Sequence, residues 1–202
     1  MGLKKGRIMD NKIFCLETEW EQSVFDMKYE PQAKPMLEFL NNSTNQIGFA
    51  FRQVATKSDF DYYISHLKRA SYKDFTIVYL CFHGEKSRIV FADSGKYGGE
   101  DHYDLIEFAE ANHNVFDGKI VHFGSCSTLK MNEQKIKEFK ILTGASMVTG
   151  YEKPVEMTES FIFEAWLLNS FYKHPDFRAK RMMDLACNEM SYFVKRYKFV
   201  AY

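Results

Sequence analysis

Five short apolar runs, at residues 13–16, 47–54, 75–82, 119–123 and 146–150, constrain this chain more than any other feature. Several are too continuously apolar for a half-exposed strand, and that pattern belongs to strands covered on both faces, the condition of a parallel sheet. Between the runs the period changes. Met36, Leu37 and Leu40 fit a short helix, Phe60, Ile64 and Leu67 follow Asp59 at helical spacing, Leu105, Ile106 and Ala109 follow Asp104, and Ile136, Phe139 and Lys140 suggest another. Met157, Phe161, Ala165 and Leu168 mark a longer amphipathic helix. Beyond Pro175, Met182, Ala186, Met190, Phe193 and Tyr197 mark a terminal one.

Alternating strands and helices are best buried as a three-layer α/β/α sandwich with a mainly parallel central sheet. The length of 202 residues and a hydrophobic content of 46% supply a core for one such domain over residues 1–202. Residues 88–92 read as a short hairpin strand beside the loop that follows the third run.

Charge narrows the function classes. With 27 basic and 27 acidic side chains the chain has no general attraction for nucleic acid or anionic lipid. The segment 192–199 mixes rings with cations, which a helix end packed on the core explains without a nucleic-acid contact. No apolar run approaches the roughly 18 residues of a membrane span, and the basic opening at residues 1–12 leads into a strand without a signal-peptide core. The expectation is a cytoplasmic protein with neither membrane nor nucleic acid as partner.

The four cysteines, Cys15, Cys81, Cys126 and Cys187, form no Cys-x-x-Cys pair, which disfavours a disulfide framework or zinc site. His102 and His113 lack companion ligands at metal-binding spacing. No metal and no cofactor is expected. The open question is whether one thiol is a nucleophile.

In open parallel α/β sheets, functional groups gather where strands end and loops begin. The third run passes directly into His83-Gly84, and the fourth into Gly124-Ser125-Cys126-Ser127-Thr128. If these strands are neighbours, His83 and Cys126 share one sheet edge. An imidazole in reach of a thiol can take its proton and leave a thiolate able to attack a carbonyl. The backbone N–H groups of Gly84 and Cys126 are then candidates for an oxyanion site. The competing account of Cys126 is a small residue packed at a tight turn. By strand alternation His122 points to a sheet face as a core histidine, and Cys15, Cys81 and Cys187 read as packing residues.

These residues resemble the caspase-like cysteine peptidases of clan CD, and most closely their bacterial CHAT-type branch. The resemblance lies in a hydrophobic strand ending in His83-Gly84, then Ser125-Cys126-Ser127-Thr128, then Gly144-Ala145 leading through Met147-Val148-Thr149-Gly150 to Pro154-Val155. The layout extends over roughly residues 13–172, and the specific motifs occupy three short stretches. Ser125 stands where that family usually has alanine, and Lys153 where CHAT-type sequences often have tryptophan. The opening Cys15-Leu16-Glu17-Thr18-Glu19-Trp20 also resembles the start of a group of small uncharacterised prokaryotic proteins.

The resemblance implies a caspase-like endopeptidase with His83 as general base, Cys126 as nucleophile and a peptide or protein as substrate. It also implies loops that an activating partner or ligand can order. Enzymes of that kind commonly bind a charged side chain before the cut, and Glu152 and Glu156 are candidates to pair with a substrate lysine or arginine, with Asp93 as a further one. The alternative is a non-catalytic caspase-like module that binds a protein or peptide in the same cleft.

Overall fold

The computed structural model describes residues 11–18, 31–91 and 102–202. In chain order these form β1 (Lys12–Thr18), α1 (Ala33–Asn42), β2 (Phe49–Val54), α2 (Lys57–Ser65), two short 3-10 turns, β3 (Phe75–Cys81), β4 (His83–Glu85), β5 (Arg88–Val90), β6 (His102–Asp104) and α3 (Leu105–Ala111). The second half adds β7 (Ile120–Phe123), α4 (Glu133–Thr143), β8 (Met147–Tyr151), α5 (Met157–Lys173), α6 (Ala179–Glu189), α7 (Ser191–Tyr197) and β9 (Phe199–Ala201). Residues 1–10 of the basic opening, Glu19-Trp20, residue 92 at the end of the hairpin segment, Asp93 and the glycine-rich stretch before His102 lie outside the described residues. Among the described residues no helix is long and apolar enough to cross a membrane.

The six-stranded sheet has the order β2-β1-β3-β7-β8-β9. The five apolar runs provide its five parallel strands, and β9 closes the edge antiparallel to β8. A second sheet, β4-β5-β6, is a small antiparallel one inserted between β3 and α3.

Successive side chains of a strand point to opposite faces, and the sheet divides its burial accordingly. Phe14, Leu16, Val78, Leu80, Val121, Phe123 and Val148 pack on one face with Phe60 and Ile64 of α2, Phe108 of α3, and Ile136 and Phe139 of α4. Ile13, Cys15, Ile77, Tyr79, Ile120, Met147 and Tyr151 face the other way, toward Leu37 of α1, Phe163 and Leu167 of α5, Met182 of α6 and Tyr197 of α7. Two cores share one sheet, which makes the molecule a three-layer α/β/α sandwich.

Local chemistry fixes the helix starts. Thr56 accepts from the Asp59 N–H while the Asp59 carboxylate accepts from the Thr56 N–H, a reciprocal capping box at α2. Asp104 and Asn132 cap α3 and α4 by one-way bonds, Asp104 accepting from the Ile106 and Glu107 N–H groups and Asn132 from that of Gln134. At α1 the cap comes from the sheet: buried Glu17, near the end of β1, accepts from the N–H groups of Gln32 and Ala33 at 2.8 and 3.0 Å. Gly144 ends α4 with φ of 74°, a left-handed turn that a side chain would strain.

Four local expectations need correction. The terminal helix is two helices broken at Met190, and its aromatic tail ends in β9 rather than as a helix end. His83-Gly84 lies in strand β4 rather than in a loop. The buried stripe of α5 runs through Ser160, Phe163, Glu164, Leu167, Leu168 and Phe171, so Met157 is left 51% exposed. Cys187 is exposed on α6 and is not a packing residue.

Because Phe199 anchors β9 in the second core, with its ring 5.0 Å from that of Phe163, Phe199→Ala should cost about 3–5 kcal/mol in denaturant unfolding. Exposed Ile141→Ala should stay within about 0.5 kcal/mol of the parent in the same measurement.

Candidate active site

Parallel pairing of β3 with β7 runs in register from Ile77 opposite Ile120 to Leu80 opposite Phe123. The Gly124 N–H extends that ladder by donating to the Leu80 carbonyl at 2.9 Å. The two chains therefore leave the sheet side by side, and a cleft of about 200 Å³ opens at their exit. Its lining includes both His83 and Cys126, with Phe82, Val155, Met157 and Phe161 completing much of the wall.

His83 is exposed at the start of β4, and Cys126 is partly buried. The Cys126 sulfur faces the chain that leaves β8: the Val155 N–H donates to Sγ at 3.4 Å, and the Val155 carbonyl lies 3.8 Å from it. Cys126 is thus presented at the cleft, whereas Cys15 and Cys81 are buried, as their apolar strands predict. Burial raises both thiols well above the ordinary cysteine value, with nearby acidic groups adding to it. Cys81 borders the same cleft at 1% exposure.

Backbone contacts hold the Cys126 loop on two sides. The Ser127 N–H donates to the Lys153 carbonyl and the Leu129 N–H to the Tyr151 carbonyl, each at 3.1 Å. From the other side the Ser87 N–H, in the turn between β4 and β5, donates to the Thr128 carbonyl at 3.2 Å. Ser125 and Thr128 share a hydroxyl hydrogen bond of 2.6 Å under the loop. Ser127 adopts φ of 56°, a left-handed conformation uncommon for a residue with a side chain, directly after the candidate nucleophile.

Gly84 explains why the histidine is followed by glycine. A Cβ there would collide with the Cys126 carbonyl oxygen and Thr128 Oγ1, and would lie 2.9 Å from Ser125 Cβ. Only a residue without a side chain lets β4 dock this closely on the Cys126 loop.

Beneath the loop lies a buried polar cluster. Glu164 of α5 is fully buried, accepts from the Tyr79 hydroxyl, and accepts from the Tyr151 hydroxyl at 3.1 Å. His122 Nε2 stands 3.6 Å from the same carboxylate, and His122 Nδ1 lies 3.0 Å from Thr149 Oγ1. Burial, reinforced by neighbouring acidic groups, holds both tyrosine hydroxyls well above their usual range. Gly124 passes directly over this cluster: a Cβ there would lie 2.6 Å from the Tyr79 ring and 2.9 Å from Glu164 Oε1. His122 is the core histidine that strand alternation predicts. Glu164, Tyr79 and Tyr151 have no signal in a sequence motif, although all three sit on elements whose faces can be read.

The two carboxylates considered for substrate binding have other partners. Glu152 pairs with Lys198 at 2.9 Å, and Glu156 caps α5 by accepting from the Thr158 and Glu159 N–H groups at 3.1 and 2.8 Å. Those backbone donors hold the Glu156 carboxyl below its ordinary value. Neither residue borders the cleft. Among the described residues no group of three or more His, Cys, Asp or Glu side chains could hold a metal ion. In the aromatic tail, Arg196 pairs with Glu159 at 2.6 Å and stacks over Tyr192 and Tyr197, so its charge is engaged internally.

Fold and cleft together define an α/β/α sandwich that presents a cysteine and a histidine at adjacent strand ends. Residues 10–196 match the model of DUF6642, a family of unknown function, and the chain belongs to that family. No curated protein matches the sequence.

Two tests follow from the geometry. Brief iodoacetamide treatment of the native protein should alkylate Cys126 and exposed Cys187, with Cys15 and Cys81 reacting only after unfolding, as read by peptide mass mapping. Glu164→Ala should cost about 2–6 kcal/mol in denaturant unfolding, because it strands two buried tyrosine hydroxyls at about 1–3 kcal/mol each.

Proposed function

We propose that the chain is a cysteine endopeptidase of the caspase-like type, in which His83 and Cys126 act as a dyad. The observation that carries this reading is the shared cleft at the paired exits of β3 and β7, which is what the caspase-like resemblance requires of these two residues.

In the proposed reaction His83 takes the proton of the Cys126 thiol, and the thiolate attacks the scissile carbonyl carbon. The Val155 N–H that donates to Sγ strengthens as negative charge gathers there, because hydrogen bonds to ions are roughly twice as strong as neutral ones. The tetrahedral oxyanion then needs donors. Strand β4 is the edge of its small sheet, and across the two-residue turn at Lys86-Ser87 the closing pair Glu85 and Arg88 is the hydrogen-bonded one. Gly84 falls at the next, non-bonded position, so its N–H points away from β5 and can serve the oxyanion with the Cys126 N–H. Collapse of the intermediate breaks the C–N bond, the imidazolium gives its proton to the leaving amine, and a thioester on Cys126 remains. Water, deprotonated by His83, hydrolyses that thioester and returns the thiol.

The decisive experiment incubates parent, Cys126→Ala and His83→Ala proteins with a complex peptide mixture and counts new termini by mass spectrometry. Cys126→Ala should abolish cleavage, His83→Ala should lower it by about 10²–10⁴-fold, and the double variant should be no worse than Cys126→Ala. Cleavage unchanged in both single variants would overturn the dyad. A parent that binds peptides in the cleft and cuts none would leave the non-catalytic module as the better account.

A further inference from the structure

Resting on the peptidase reading, we infer that the cleft beside Cys126 takes an uncharged apolar side chain of a peptide, of leucine, methionine or phenylalanine size, rather than the charged side chain that the family resemblance suggests. Four of the lining residues, Phe82, Val155, Met157 and Phe161, are apolar. Ser160 also borders the cleft, but its hydroxyl is committed to the Met157 carbonyl at 2.9 Å. Apart from His83, which the proposed reaction uses, the side chains of the wall offer hydrocarbon and sulfur.

Charge selection needs a buried opposite charge open to the pocket; among the described residues Glu164, beneath Gly124, is enclosed by the Tyr79 and Tyr151 hydroxyls, and the two carboxylates that follow β8 are directed elsewhere. Glu152 holds Lys198, and Glu156 is turned back onto the first turn of α5. A substrate arginine or lysine entering this cleft would give up its water for apolar walls, a loss that an unpaired ion cannot recover. An apolar side chain gains from the same walls, at about 25 cal/mol for each Å² removed from water.

Size and adaptability agree with the chemistry. A volume of about 200 Å³ is close to that of a roughly 150 Å³ engineered apolar cavity that binds benzene. It fits one branched or aromatic side chain and is too small for two. Met157, at the mouth, is 51% exposed despite its place at the start of α5. A flexible thioether left in water beside a cleft is surface that a bound apolar group would cover and to which it can conform.

The test uses the full chain with Cys187→Ser, which removes the exposed competing thiol. Acetyl-Ala-Ala-X acyloxymethyl ketones with X as Leu, Phe, Arg or Asp are compared by the rate at which they alkylate Cys126, followed by intact mass. The Leu and Phe probes should react at least tenfold faster than Arg and Asp. Met157→Glu, a change at an exposed helix start that tolerates acids, should raise the Arg:Leu rate ratio at least tenfold. Equal rates for the four probes, or a preference for Arg or Asp in the Met157-containing protein, would overturn the apolar pocket. Iodoacetamide on the same samples reads the dyad separately: a Cys126 rate that His83→Ala lowers supports it, and an unchanged rate sinks the peptidase reading whatever the peptide preference.

Discussion

The pairing of β3 with β7 is the constraint on which the rest of this molecule depends. Because the two strands are parallel and in register up to Leu80 and Phe123, they must release the chain at the same edge. An antiparallel pairing of the same two sequences would put His83 and Cys126 at opposite ends of the sheet. The parallel arrangement needs a long crossover between the strands. Here that crossover carries the small β4-β5-β6 sheet and α3, and the small sheet is what folds back to hold the Cys126 loop. Topology therefore supplies both the closeness of the two residues and the part that keeps one of them in place.

Below that edge the sheet pays a local cost in buried polarity. A carboxylate, a histidine and two tyrosines are enclosed between β3, β7, β8 and α5, where apolar residues of equal volume would pack at least as well. What the cluster provides is position. Tyr79 and Tyr151 reach across from two strands to one carboxylate on α5, tying the helix that forms one wall of the cleft to β3 and β8. Gly124 lies against this cluster with no room for a side chain. The height of the Cys126 loop above the sheet is thus set by Glu164 as well as by the strand ladder.

Much of the architecture is legible in the sequence because both cores obey simple periods. The five apolar runs alternate cleanly, so Val78 and Leu80 go to one core and Ile77 and Tyr79 to the other. Helices with Asp, Thr or Asn at their starts announce themselves through the same hydrogen bonds that cap them. What stays hidden depends on tertiary context. Strand β9, at Phe199–Ala201, is only three residues long and follows a helical period, so nothing local distinguishes it from a fraying helix until β8 offers an edge. Glu164 reads as the polar face of an amphipathic helix, and only the partners arriving from β3 and β8 make its burial affordable. Glu152 and Glu156 look available for substrate in the sequence because a helix cap and a pairing with Lys198 cannot be distinguished from free carboxylates without coordinates. His83 and Cys126 were legible as strand-end residues; that they border one cleft is a property of strand order, which sequence spacing alone does not determine.

The loop that carries Cys126 is held almost entirely through its main chain, and this bears on how the site can be built and changed. Ser127 and Leu129 donate to carbonyls on the chain leaving β8, and Thr128 accepts from the turn between β4 and β5. Side-chain identity matters at few points: Gly84 and Gly124, where backbone must approach closely, and Ser125 with Thr128, whose hydroxyls satisfy each other beneath the loop. A motif as short as Gly-Ser-Cys-Ser-Thr is therefore enough to specify the loop once the sheet is in place. The same bonds couple its neighbours. The turn that donates to Thr128 closes the hairpin whose first residue is His83, so a displacement of that hairpin must alter the histidine and the support of the cysteine together. Whatever orders or loosens the β4-β5-β6 sheet acts on both His83 and Cys126 through one mechanical link, without touching either side chain.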